Sequence, residues 1–223
     1  MADPYLETAQ EFIDFINQQV GMYTDSLSGF SNNKIIVERQ IMRIRKSYPS
    51  VDEKGNKVMM STSYEDPSKP DIIQFRILKA TDFIAENSPS GAHEQQHSRA
   101  ILIFIYTFWE EEIRQRLADI KGIEKNLVRS EIMNDLRLLR HSILHEKGVL
   151  SKEKRDKLVK LKDFFSSNSP LIMSYDVMQK VFVLAKQDIF RLVTEFMGNT
   201  SVKPEEIKDI AIQFGSRTPK KPS

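Results

Sequence analysis

The sequence predicts an all-α helical bundle with a small β-hairpin insertion around residues 50–76. Three observations predict it. Apolar residues recur at steps of three and four along most of the chain, the period of an amphipathic helix. The run AILIFIYTFW, Ala100–Trp109, is apolar on every face, which places it at a bundle centre or a large interface. Residues 49–75 break the period with Pro49, Lys54-Gly55-Asn56, Pro67 and Pro70, all turn or breaker signals.

Taken in order, Leu6, Ala9, Ile13, Ile16, Val20, Tyr23 and Leu27 form the inner stripe of a long first helix. Asp3 is a cap and Pro4 sits in the first turn. Val37, Ile41, Ile44 and Tyr48 mark a second helix, stopped by Pro49. Lys57–Met60 and Asp71–Phe75 are candidate hairpin strands within an insertion over 49–76. After the ENSPSGA loop, residues 86–92, a helix runs from Glu94 to Ile120. A fourth covers Asn126 to His145, with Val128, Ile132, Leu136, Leu139 and Ile143 inward, and Glu146-Lys147-Gly148 ends it. Ser151 caps a basic helix reaching about Ser166. Ser174 caps a last helix with Met178, Val181, Ala185, Ile189, Leu192 and Phe196 inward. One domain is expected over 1–198, followed by a weakly ordered basic tail over 199–223.

Composition removes several classes of function. The 223 residues contain no cysteine, so thiolate metal sites, disulfide scaffolds and cysteine nucleophiles are out. The acidic start MADPYLETAQEF does not read as a secretory signal, and the longest apolar run is half a bilayer span. A cytoplasmic protein without membrane association is the expectation. GxGxxG, GxxxxGK[ST] and GxSxG are all missing from the sequence. Net charge is only +2, but it is unevenly spread. Residues 1–26 carry five acids and no Lys or Arg. Residues 147–162 carry seven bases against Glu153 and Asp156. That basic stretch suits a phosphate-facing surface or, equally, a solvated helix face.

Chemistry falls to four histidines in two pairs: His93 with His97, and His141 with His145. In Arg137-Leu-Leu-Arg140-His141-Ser-Ile-Leu-His145 the two histidines are i and i+4, stacked on one face, with Arg137 a turn earlier. An imidazole moves protons near neutral pH and a guanidinium holds phosphate, so the cluster suits phosphodiester cleavage without a metal or other cofactor. The alternative is a histidine favoured by the carbonyl end of its helix.

LRLLRHSILHEKG resembles the signature of the HEPN superfamily, in which Arg, a polar residue, three further residues and His close a core helix. Arg140, His141 and His145 match in order, and the preceding YTFWEEEIRQRL helix matches the setting, over roughly residues 94–197. The resemblance implies a metal-independent endoribonuclease acting as a homodimer, with two copies of Arg140 and His145 in one composite cleft. It puts His145 in proton transfer, Arg140 on the scissile phosphate and His141 in support, and implies a toxin or antiviral-defence effector with an antitoxin or defence partner protein. Members paired with nucleotidyltransferase antitoxins carry Tyr two residues after the motif His; Lys147 stands there in this chain. Arg137, Lys147, Lys152 and Lys154 are candidate RNA contacts, and Glu110, Glu111, Glu112 and Asn134 are polar groups for the same cleft. A non-catalytic RNA-binding or interaction module is the alternative. A third reading is a zinc hydrolase, because His93-Glu94-Gln95-Gln96-His97 spells HExxH, although no third ligand is evident.

Overall fold

The first helix starts where a carboxylate meets free backbone donors. Asp3 Oδ1 accepts the Tyr5 N–H at 2.8 Å, and Pro4 fills a first-turn position whose N–H would lack a partner anyway. From there α1 runs unbroken over Pro4–Ser47 in the computed structural model, which describes residues 3–52, 55–65, 68 and 73–198. The two apolar stripes therefore belong to one 44-residue helix, roughly 66 Å long, and not to two helices. Ser28-Gly29 and Asn32-Asn33 are poor helix formers, but tertiary contacts hold the middle of α1 in place. The Phe30 ring lies 5.4 Å from that of His93 and 6.3 Å from that of His97, and Asn33 Nδ2 donates to Asn87 Oδ1 at 3.5 Å.

Beyond that point α1 carries a small separate cluster in which Val37, Ile41 and Ala80 are buried among Val58, Met60, Phe83 and Ile84. The hairpin grows from it. Strands β1 (Met59–Glu65) and β2 (Ile73–Lys79) pair antiparallel, with Met59 opposite Lys79 and Glu65 opposite Ile73. The ladder is thus displaced toward the C-terminus relative to the expected strands, and positions 71 and 72 lie outside the described residues. Helix α2 (Ala80–Glu86), not anticipated from the sequence, follows directly and packs on α1 and α3.

The expected long helix is present as α3 (Ala92–Phe108), a π-helical turn (Trp109–Ile113) and α4 (Arg114–Lys121) in direct succession. Ile101, Ile105, Trp109, Ile113 and Leu117 are all buried at steps of four. In a regular α-helix each such step drifts about 40° around the axis. The wider π turn takes up that drift, so one stripe stays on the core. The chain itself covers most of the apolar run: Ile101, Leu102 and Ile105 are fully buried, while Phe104 stays 53% exposed.

Helix α5 (Glu131–His145) begins later than expected, because Ser130 supplies the cap and accepts the Met133 N–H at 3.1 Å. A 3-10 turn, Lys125–Leu127, precedes it. The paired dipeptides β3 (Val149–Leu150) and β4 (Ser169–Pro170) bracket α6 (Lys152–Lys157). Ser151 caps α6 as expected, but the helix stops well short of Ser166. Asp135 of α5 explains the stop. Its buried carboxylate accepts the N–H groups of Val159, Lys160 and Leu161 at 2.9, 2.7 and 2.9 Å, donors that a continuing helix would have used. Ser174 then caps α7 (Tyr175–Gly198). Contacts run from α1 to α3, α3 to α5, α5 to α7 and α7 back to α1, so four helices close a ring around the core. The expected tail, residues 199–223, lies outside the described residues.

The end of α5 needs left-handed backbone twice, at Lys147 (φ 54°) and Gly148 (φ 73°). Gly148 N–H donates to Ser142 O at 2.9 Å, and a Cβ at Gly148 would meet Arg99 Nη2 at 3.3 Å. Gly148→Ala is expected to cost about 1 kcal/mol or more, read as a lower urea midpoint at unchanged slope.

Candidate active site

Helix α5 turns Ile132, Met133, Leu136 and Leu139 into the core, so its remaining face carries the charged groups. Arg137, His141 and His145 are exposed there and Arg140 is half-buried. The His141 and His145 rings lie 4.9 Å apart at 55°, as their spacing leads one to expect. Arg140 leans the other way, with its guanidinium carbon 5.7 Å from the centre of the Tyr106 ring on α3. That contact is a cation–π interaction, and it leaves Arg140 Nε buried without a hydrogen-bond partner among the described residues. An unmet buried donor costs about 1–3 kcal/mol. No hydrogen bond or ring contact joins Arg140 to His145 among the described residues.

A second layer of polar groups fixes His141. Glu146, just past the end of α5, accepts from Ser142 Oγ at 2.8 Å and from the ammonium of Lys154 on α6. Lys154 Nζ also lies 2.8 Å from His141 Nδ1. An ammonium only donates, so Nδ1 is the acceptor and the neutral ring carries its proton on Nε2. Lys154, expected as an RNA contact, is thus largely committed within the chain.

The hydrogen bonds from Lys154 and then Ser142 hold the Glu146 carboxyl below its ordinary 4.5. With the folded value depressed, the clamp is complete above pH 4.5 and is lost as pH falls through the lowered value. Carboxylate-detected NMR titration is expected to show Glu146 ionised below the usual glutamate range, and Lys154→Ala is expected to return it toward 4.5. An unmoved titration in the variant would refute the clamp.

The remaining bases are less available than their number suggests. Lys157 pairs with Glu153, Lys160 with Glu131 and Lys162 with Asp156, while Arg155 donates to Phe165 O. The exposed side chains of Lys147 and Lys152 have no partner among the described residues. Of the acidic and amide candidates, Glu110 and Asn134 line one cavity beside Tyr106, whereas Glu111 and Glu112 face a different groove with Phe15, Met22 and Phe104.

The other histidine pair is arranged differently. His93 Nε2 lies 3.8 Å from Glu86, and His97 packs against Tyr23 and Phe30 with its Nε2 buried and without a hydrogen-bond partner among the described residues. No hydrogen bond or ion pair joins Glu94 to either ring among the described residues. Glu94 is buried and accepts the Tyr23 hydroxyl at 3.2 Å and the Ser90 N–H at 2.5 Å, so it caps the loop before α3. Burial pushes the Tyr23 phenol well above its ordinary value, so it remains a donor to Glu94 at neutral pH. No group of three or more His, Asp or Glu side chains able to hold a metal ion occurs among the described residues.

Sequence reading missed Tyr106, Ser142, Glu146 and Asp135. Ser142 and Glu146 are i and i+4 beside the motif, a signal that was present. Tyr106 and Asp135 act across elements and had none. The chain matches no family model, no curated protein and no solved structure. No helix among the described residues is long and apolar enough to cross a membrane.

Proposed function

We propose that this chain is a metal-independent endoribonuclease of the HEPN type. The observation that carries the reading is on α5, where an Arg140 donor with no partner among the described residues lies on the same helix as two adjacent, exposed imidazoles. In the proposed step His145 takes the proton of a ribose 2′-hydroxyl as that oxygen forms a bond to the adjacent phosphorus. The bond from phosphorus to the 5′-oxygen breaks, and a second imidazole returns a proton to the leaving oxygen. No water is consumed, and the products carry a 2′,3′-cyclic phosphate and a 5′-hydroxyl. Arg140 stabilises the charge that builds on the non-bridging oxygens. The Lys154–His141 contact orients one imidazole.

A homodimer supplies the second base and acid from its other copy. Leu144, beside His145 in sequence, is 48% exposed and offers an apolar contact for it. A toxin or antiviral-defence role, a cytoplasmic setting and an antitoxin or defence partner belong to the same proposal.

The test is cleavage of single-stranded RNA in excess chelator, with end-group analysis of the products. Cyclic phosphate ends formed in chelator are expected. Products ending in 3′-hydroxyls, or activity that chelator abolishes, would overturn the mechanism. RNA binding without turnover would instead identify a binding module. A monomeric mass at micromolar concentration would remove the composite cleft.

A further inference from the structure

Across Tyr106 from Arg140 lies a cavity of about 620 Å³ between the π turn and the first half of α5. That volume is in the range of small-molecule and cofactor sites. Its floor is apolar, made by Trp109, Val128 and Met133, each no more than 3% exposed. Its walls are polar: Tyr106, Asn126, Ser130 and Asn134 bring hydroxyl and amide groups. Burial pushes the Tyr106 phenol above its ordinary 10.0, so its hydroxyl is a donor at neutral pH.

The charges around the cavity are unequal. Burial opposes ionisation of Glu110, but hydrogen bonds from Arg114 and Lys125 outweigh it, so this carboxylate is already matched by two cations. Glu131 is paired with Lys160. Arg129 and Arg137 are exposed at the cavity and paired with no carboxylate among the described residues. Among the described residues Arg137 donates only to Asn134 Oδ1, at 3.0 Å. The cavity thus combines an apolar floor, amide and hydroxyl groups on its walls and two unmatched guanidiniums, all beside the Arg140 donor. The π turn forms one side of it, and such turns recur at functional sites because they hold a helix off its regular path.

We propose that this cavity is a nucleotide subsite, taking the base of an RNA nucleotide next to the scissile phosphate, with Arg129 and Arg137 on the flanking phosphates. The inference rests on the ribonuclease reading and names where its substrate lies. The guanidiniums supply charge-assisted phosphate contacts, the amides face the base edge, and the apolar floor accepts a ring.

Trp109 is the one tryptophan of the chain and forms part of the floor, so its emission reports occupancy. The probes are a 2′-O-methyl octanucleotide of mixed sequence, which has no 2′-hydroxyl to react, and AMP. With the native chain, the octanucleotide is expected to change Trp109 emission saturably. Arg137→Glu and Arg129→Glu are each expected to weaken the effect roughly tenfold or more. Asn134→Leu, which changes no charge and narrows the cavity, is expected to weaken it too. Emission unmoved while anisotropy of a labelled octanucleotide shows binding would overturn the subsite, as would native affinity in all three variants. A response to AMP with none to RNA would reassign the cavity to free nucleotides and overturn the proposal. Because the octanucleotide is not cleaved, the outcomes separate. Cyclic-phosphate cleavage of ordinary RNA with a silent Trp109 sinks the subsite alone, and an RNA response without cleavage sinks the ribonuclease alone.

Discussion

Arg140→Ala is expected to lower the rate of RNA cleavage about a thousandfold while leaving the fold intact. The side chain is half-buried, yet its Nε has no hydrogen-bond partner among the described residues, so truncation removes no bond of that nitrogen to them. What it removes is a guanidinium charge, together with the cation–π contact to Tyr106. The loss should fall on kcat more than on KM, because the negative charge on phosphate grows in the transition state. Arg140→Lys is expected to recover little, since an ammonium offers neither the planar fork nor the stacking surface on Tyr106. His145→Ala is expected to lose about a hundred- to ten-thousandfold through the proton-transfer step. Single-turnover cleavage in chelator measures all three variants, with circular dichroism as the check on folding. A folded Arg140→Ala protein that cuts RNA at the native rate would remove Arg140 from the mechanism.

The largest stability effect is expected at Asp135. This carboxylate is fully buried and accepts three consecutive backbone N–H groups, from Val159, Lys160 and Leu161. Burial pushes its carboxyl up, and the three N–H bonds oppose that rise. Asp135→Ala strands those donors over the buried side chains of Leu158 and Leu161. At about 1 kcal/mol or more for each unmet donor, a loss on the order of 3 kcal/mol follows. For a domain of this size that is a fall of roughly 6–12 °C in Tm. Asp135→Asn should recover only part of it, because its NH2 group would face backbone donors. Thermal unfolding followed by circular dichroism is the measurement, and a Tm within two degrees of native, on the order of 0.5 kcal/mol, would refute the clasp. The same loss should loosen Val159, which forms part of the cavity wall beside Arg137.

Helical periodicity made most of the bundle legible. The caps Asp3, Ser151 and Ser174 and the stop at Gly148 were readable because each depends on a few neighbouring residues. The closeness of the His141 and His145 rings was readable for the same reason, as a consequence of i, i+4 spacing. The break expected between Leu27 and Val37 was an error of local propensity: His93, His97 and Asn87, all outside the helix, hold its Phe30 and Asn33 in place. The π turn left a trace in the steps of four from Ile101 to Leu117, which a regular helix cannot keep on one face. The end of α6 left none, since it is set by an acidic residue some twenty positions away.

The sequence by itself thus determined the helical class, the caps and which side chains of α5 share a face, because these follow from the geometry of adjacent turns. Tertiary structure alone decided that Arg140 lies on Tyr106 with no partner for Nε among the described residues, that Lys154 is drawn to Glu146 and His141, and that a cavity opens beside Tyr106. Those contacts join residues from different helices, and their distances depend on how the ring of α1, α3, α5 and α7 packs. No spacing within one segment encodes that packing.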